Sequence, residues 1–336
     1  MNNKTIAIIV VTAIVVAALA VGISTYDNQS DDGTITFTDT NGETITLDSE
    51  CKRIVVYSKY IAEAMIIMGC SDLVVGTTTT VKNDLNYASY YVNATALSSS
   101  TTEGMDIVIS LEPDLIIAHN TNDTTQLKGT GIPVVELGAS KISEIVNDIT
   151  SLGIITGYKT EAQKIVDWFS SKLLIIENFE GISPKFALES YSATKLSFCN
   201  PGSTPGVALS AVKGVNVFDS TSTTYTYPEG SVLIELNPDI ILVVTYNANW
   251  NETALNSYLN TIYSRAGWDN ISAIQNNNVY MVSNDIIRGM RSIIGALFFM
   301  SLMDPTEYGD ISVSGLVDEY NSLGNTSFNN QMIYSR

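Results

Sequence analysis

Histidine is nearly missing from this chain: His119 is the only one in 336 residues, and cysteine occurs only at Cys51, Cys70 and Cys199. A catalytic zinc site takes three protein ligands, drawn largely from those two residue types. The sequence has neither an HExxH nor a CxxC motif, so a site built from several histidines is excluded. Enzymatic chemistry would otherwise need a base paired with a nucleophile, and no such pairing is evident. The chain is therefore read as a non-enzyme, with no catalytic residue, no resident metal and no cofactor. Basic residues are scarce too: 17 Lys and Arg stand against 35 Asp and Glu, a formal net charge of −18. Such a surface repels nucleic acid and anionic headgroups, so a nucleic-acid partner is excluded.

Apolar material is plentiful. Hydrophobic residues make up 45% and charged residues 15% of the chain, which suits two folded lobes and not a disordered polymer. Ile6–Ile23 is apolar apart from Thr12 and Gly22, with Lys4 before it and acidic residues after it. That length lies between a signal-peptide core and a full membrane span. Residues 1–26 are read as a signal or membrane anchor, with the uncleaved anchor preferred, and 27–33 as a polar tether. The charge bias places the body on the extracytoplasmic side.

The body alternates strands and helices. Thr34–Leu47 turns at Asn41-Gly42, a hairpin signal. Short apolar strands at Arg53–Tyr57, Leu115–Ala118 and Val134–Glu136 are separated by helical stretches such as Ile61–Met68 and Met105–Ser110. The pattern predicts a mostly parallel α/β lobe over residues 34–140. Residues 141–181 are helical, with Thr160–Phe179 opening on a capping box at Thr160–Gln163 and serving as a strut. Residues 182–336 repeat the scheme, with strands at Lys185–Leu188, Ile240–Val244 and Asn278–Val282. One phrase occurs twice, LEPDLIIA at Leu111–Ala118 and LNPDIILV at Leu236–Val243, and marks a duplicated architecture. The predicted fold is α/β: two Rossmann-like lobes joined by a single long rigid helix, with a ligand cleft between them. Cys51 and Cys70 fall at one end of the first strand–helix unit. A disulfide there would stabilise by roughly 3 kcal/mol; two buried free thiols are the other reading.

Ile54–Gly76 (IVVYSKYIAEAMIIMGCSDLVVG) resembles the opening of the periplasmic binding proteins for cobalamin and iron complexes, which serve ATP-binding-cassette importers. Ser58, Glu63 and Gly69 match that pattern, while Lys59 stands where the family often has proline. Both twin phrases, Lys213–Val217, Asn278–Val282 and Asp304–Tyr308 resemble further segments of the same family. The likeness runs from about Thr34 to Tyr334. It implies a substrate-binding component that captures a metal chelate (corrinoid, ferric siderophore or haem) and delivers it to permease and ATPase subunits. A surface sensor or adhesin on the same fold is the alternative.

In parallel sheets ligands sit beyond the carboxyl ends of the strands. That rule nominates Lys59, Tyr60, Thr79, His119 and Asn120 on the first lobe. On the second it nominates Asn200, Tyr246, Asn247, Trp250, Arg288 and Arg291. The aromatics would supply flat faces, and Lys59, Arg288 and Arg291 the charge partners. His119 is read as a ligand contact, not a metal ligand. The resemblance also implies one acidic docking residue per lobe. Asp106, seven residues before Pro113, keeps that position; its counterpart is Ser231, with Glu229 as the nearby substitute.

Overall fold

The computed structural model describes residues 33–335 apart from 102, 193–194, 220–223, 246–251 and 330–332. The N-terminal apolar run and nearly all of the tether lie outside the described residues. Among the described residues, no helix is long and apolar enough to cross a membrane.

Strands β1 (Ile35–Thr38) and β2 (Thr44–Leu47) form the expected hairpin. The first lobe is built on β3 (Ile54–Val56), β4 (Val74–Thr78), β5 (Thr95–Leu97), β6 (Leu115–Ala118) and β7 (Val134–Glu136). They are parallel, in the order β5-β4-β3-β6-β7. The second lobe holds β8 (Lys185–Ser190), β9 (Phe198–Cys199), β10 (Val215–Asn216), β11 (Tyr225–Thr226), β12 (Ile240–Thr245), β13 (Val279–Ser283) and β14 (Ile333–Ser335). Its path is β11-β9-β8-β12-β13-β14, with β10 beside β8. The central trio β8-β12-β13 is parallel, as is β3-β6-β7 in the first lobe.

The twin phrases carry the same hardware in both lobes. Glu112 (φ 47°) and Asn237 (φ 42°) take the left-handed conformation just before the proline. The next residue then clamps the start of the neighbouring strand. Asp114 Oδ2 accepts from the Lys52 backbone N–H at 2.7 Å, and its own N–H donates to the Arg53 carbonyl at 2.9 Å. Asp239 Oδ2 accepts from the Lys185 N–H at 2.9 Å and returns the same backbone bond. Each acid thereby sets the register of two parallel strands that no short turn connects.

Period-two alternation sends each sheet's side chains into two cores. Ile54, Val56, Leu115 and Ile117 of the first sheet join Leu188, Ile240, Leu242 and Val244 of the second in one continuous apolar cluster. Their sequence neighbours pack against separate outer layers, Val55 and Ile116 in one lobe and Ile241 and Val243 in the other. Helix Ser292–Met303, apolar all round and almost wholly buried, belongs to the shared cluster. It packs on helices Lys159–Glu177 and Val313–Gly324.

The connection between sheets is two helices in tandem, Ile142–Thr156 and Lys159–Glu177, turned at Gly157 (φ 82°). They touch closely: a Cβ on Gly153 would lie 2.6 Å from the Ala162 Cβ. The capping box expected at Thr160–Gln163 does not form. The second helix starts a residue earlier, at Lys159, and its N-cap Tyr158 makes no side-chain cap bond. The Cys51–Cys70 bridge is likewise absent; both are buried free thiols whose pKa burial pushes up to about 12.

One charged cluster crosses between the lobes. Glu63, on helix Lys59–Ile67 after β3, meets Arg291, which follows β13. The guanidinium Nε and Nη2 reach the carboxylate at 2.9 Å each. Tyr320 donates to Glu63 at 2.6 Å and Tyr87 donates to its other oxygen. Burial raises the Glu63 pKa, but Arg291 and the two phenols overcome it and hold the carboxyl below its usual range. The assignment of Arg291 to the ligand cleft is corrected here: it is 2% exposed, because its charge is neutralised inside the protein.

Removing one partner leaves a buried charge uncompensated. Glu63→Gln or Arg291→Met is expected to cost about 3–5 kcal/mol in urea unfolding, and Glu63→Leu/Arg291→Met together much less than the sum. A further check uses Asp148, whose pKa burial raises from 3.8 to about 6 despite hydrogen bonds from Ala139, Thr40 and Asn147. Its folded pKa exceeds the unfolded one, so its contribution is fully present below 3.8 and lost as pH rises through about 6. Asp148→Asn should therefore remove a stability gain that the wild type shows on going from pH 7 to pH 5, read by denaturation at both values.

Candidate functional site

The carboxyl ends of both parallel trios face each other across the space between the lobes. On the first lobe, Ser58 lies two residues past β3 and caps helix Lys59–Ile67. Its Oγ accepts from the Ile61 N–H at 3.3 Å and donates to the Gly138 carbonyl at 2.9 Å. These two hydrogen bonds tie the turn after β3 to the turn after β7 just before Lys59 and Tyr60.

Tyr60 and His119 are brought together, with Arg288 in electrostatic reach of the imidazole, while Lys59 turns its ammonium toward the Tyr87 ring. The Lys59 ammonium lies 2.9 Å from Asp84 and 3.9 Å from Asp285, the latter on the opposite lobe. Burial lowers the Lys59 pKa, yet Asp285 and Asp84 outweigh it and keep the amine above its ordinary value. The Tyr60 ring stands 6.0 Å from the His119 ring. Across the cleft the backbone of Gly289 (φ 58°) presses on the same tyrosine; a Cβ there would fall 2.4 Å from Tyr60 Cδ1. Glycine is required by both the contact and the dihedral.

His119 is half-buried directly after β6, and its Nδ1 meets no hydrogen-bond partner among the described residues. Burial depresses its pKa below 6.5; Asp123, Glu144 and Glu136 oppose that, and Arg288 adds to it. Near pH 7 the ring is neutral, able to offer a lone pair or an N–H to a bound molecule.

Three other nominated residues are described, and each has a different setting. Thr79 is exposed at the start of helix Thr79–Lys82. Asn120 caps helix Thr121–Leu127, accepting from the Asp123 N–H at 3.1 Å. Asn200 is fully buried and accepts from the Thr226 hydroxyl at 2.9 Å. Tyr246, Asn247 and Trp250 lie outside the described residues. Asp106 is exposed at the second position of helix Met105–Ser110, and Ser231 occupies the matching position of helix Gly230–Leu236. Glu229 is the exposed N-cap of that helix. Each helix leads into a parallel strand, so its N-terminus, and the acid on it, sits on the cleft side.

Sequence reasoning missed Tyr191. Strand β8 runs to Ser190, two residues past the expected end at Leu188, so Tyr191 takes the position just beyond the carboxyl end. It is 36% exposed and packs against Tyr258 at a tilt of 48°, with ring centroids 4.5 Å apart. Tyr258 donates to the buried Glu189 at 2.6 Å, and Arg265 grips Glu189 with two 2.7 Å bonds. The signal was in the sequence: Glu189 and Ser190 look polar, but the former is a buried, paired charge inside the strand. Asp84, which holds Lys59, was also missed, and nothing in its surroundings as a sequence marks it.

A single histidine makes the site easy to follow. The His119 ring resonances are expected to titrate with a midpoint below 6.5, and Arg288→Gln should raise that midpoint by removing a neighbouring positive charge. A wild-type midpoint at the free-histidine value would contradict the buried setting.

A family model described as periplasmic binding protein matches residues 54–286. An uncharacterized ABC transporter substrate-binding lipoprotein, YvrC of Bacillus subtilis, is 25% identical over 273 residues, covering 75% of this chain and 79% of that protein. A cobalamin-binding protein of Halobacterium salinarum is 27% identical over 226 residues, covering 62% of this chain and 58% of that one. Among solved structures, the TroA-like periplasmic binding protein FepB from Veillonella parvula superposes with a TM-score of 0.78 at 14% identity, over 89% of this chain and 99% of that one.

Proposed function

The chain belongs to the periplasmic binding protein family, and from that premise we propose that it captures a metal chelate between its lobes for an ABC importer. The cargo class is a corrinoid, a ferric siderophore or haem. The observation that carries this reading is the meeting of Tyr60 and His119 on one lobe with Gly289 and the neighbouring Arg288 of the other. Aromatic faces, a neutral imidazole and a neighbouring cation suit a flat conjugated ligand with polar rim groups. The cobalamin-binding relative supports the same class.

No bond is made or broken; the protein is a substrate-binding component and not an enzyme. Tyr60 and Tyr191 would lie against the ligand's face, His119 would contact it without ligating its metal, and Arg288 would meet an anionic edge. Asp106 and Glu229, exposed at helix starts on the cleft side, are the acids we assign to the permease, whose ATPase drives release. The apolar run Ile6–Ile23 supports retention on the extracytoplasmic face as an anchor.

The test is a binding screen of cyanocobalamin, ferric siderophores and haemin by visible absorbance and calorimetry. One class is expected to bind at one equivalent, with Tyr60→Ala and His119→Ala each weakening it about tenfold or more. Failure of all three classes to bind would sink the cargo assignment.

A further inference from the structure

Beside the aromatic group lies a second feature of the cleft, a recess of about 90 Å³ lined from both lobes. Sites for whole drug-sized ligands measure roughly 300–1,000 Å³, so this recess holds a substituent and not a macrocycle. Three helices of eight residues or more start at its wall. Lys141 and Ile142 open helix Ile142–Thr156, Gly202 and Thr204 open helix Thr204–Ala211, and Ser292 is the first residue of helix Ser292–Met303.

Two of those ends are already capped by the protein. Glu144 accepts from the Lys141 N–H at 3.2 Å, and Ser203 Oγ accepts from the Gly206 N–H at 3.2 Å. At the third, the N-cap Arg291 makes no side-chain cap bond, its guanidinium being committed to Glu63. The turn Gly289–Arg291 runs directly into that helix, and the Ser292 N–H already donates to the Gly289 carbonyl. Ser292 is 2% exposed, lines the recess, and its hydroxyl meets no hydrogen-bond partner among the described residues. A buried hydroxyl without a partner is costly, and the starts of helices Ile142–Thr156 and Thr204–Ala211 at the wall favour negative charge. Lys141 adds a cation at the wall, offset by its 2.6 Å pair with Glu144.

We infer that this recess is an oxyanion subsite, in which Ser292 and the starts of helices Ile142–Thr156 and Thr204–Ala211 receive a carboxylate or phosphate group carried by the cargo. The inference rests on the binding role proposed above and narrows it to chelates that bear such a group. A purely neutral or cationic chelate would leave Ser292 unmet.

The experiment uses inorganic phosphate and acetate as probes, each against chloride at equal ionic strength, reading Tm and calorimetric affinity. Either probe is expected to raise the wild-type Tm, as any ligand selective for the folded state does. Phosphate alone acting marks a tetrahedral group, and acetate acting marks a carboxylate. Ser292→Ala should weaken binding about tenfold. Thr204→Glu places a resident carboxylate at a helix start, where it is tolerated, and should abolish the response. A wild type with no response beyond chloride, or an equal response in all three proteins, overturns the subsite. Uptake of a chelate without any anion response leaves the binding role standing and sinks only the subsite. An anion response without chelate uptake does the reverse.

Discussion

The bidentate pair between Glu63 and Arg291 is the constraint on which the arrangement of the lobes depends. Glu63 lies in the middle of helix Lys59–Ile67 and Arg291 just before helix Ser292–Met303, one per lobe, and both are buried. The energetic logic is asymmetric. Together with Tyr87 and Tyr320 the two charges neutralise one another, although Arg291 Nη1 meets no partner among the described residues, and either charge alone would be a severe defect. The pair thus contributes less to net stability than to choosing a single relative position for the lobes. Helix Ser292–Met303 begins at the very next residue, so the ion pair also fixes where the most apolar helix enters the shared core.

That shared core explains how the cleft is formed. The two sheets do not merely face each other; their inner side chains belong to one cluster, continued by helix Ser292–Met303. Helix Val313–Gly324, late in the chain, packs back on Lys59–Ile67 of the first lobe, where a Cβ at Gly324 would lie 2.5 Å from the Ile67 carbonyl. The chain therefore crosses between lobes through more than the helix pair that joins the sheets. Lys59 with Asp285, and Tyr60 with Gly289, are surface extensions of the same contact.

Much of this was legible in the residues. Alternating apolar strands and helices predicted both sheets, and the twin phrases marked equivalent strands because proline, a left-handed residue and a strand-clamping aspartate recur at the same spacing. Helices rich in Thr, Asn and Asp, such as Thr121–Leu127, escaped notice because their apolar stripe is short and their start depends on the Asn120 cap. Arg291 was misplaced for a deeper reason. An arginine after a strand reads the same whether it faces a ligand or a buried glutamate 228 positions earlier, and only the fold reveals the partner. Cys51 and Cys70 illustrate the same limit: proximity along a strand–helix unit does not bring two sulfurs into bonding geometry.

A continuous core has a consequence for signalling. A binding protein with hinged lobes announces its cargo by closing, so a membrane partner can distinguish full from empty by shape alone. Lobes that share side chains on their inner faces have little freedom to close without breaking packing. Occupancy must then be advertised at the mouth of the cleft, by the exposed surface of whatever the cleft holds.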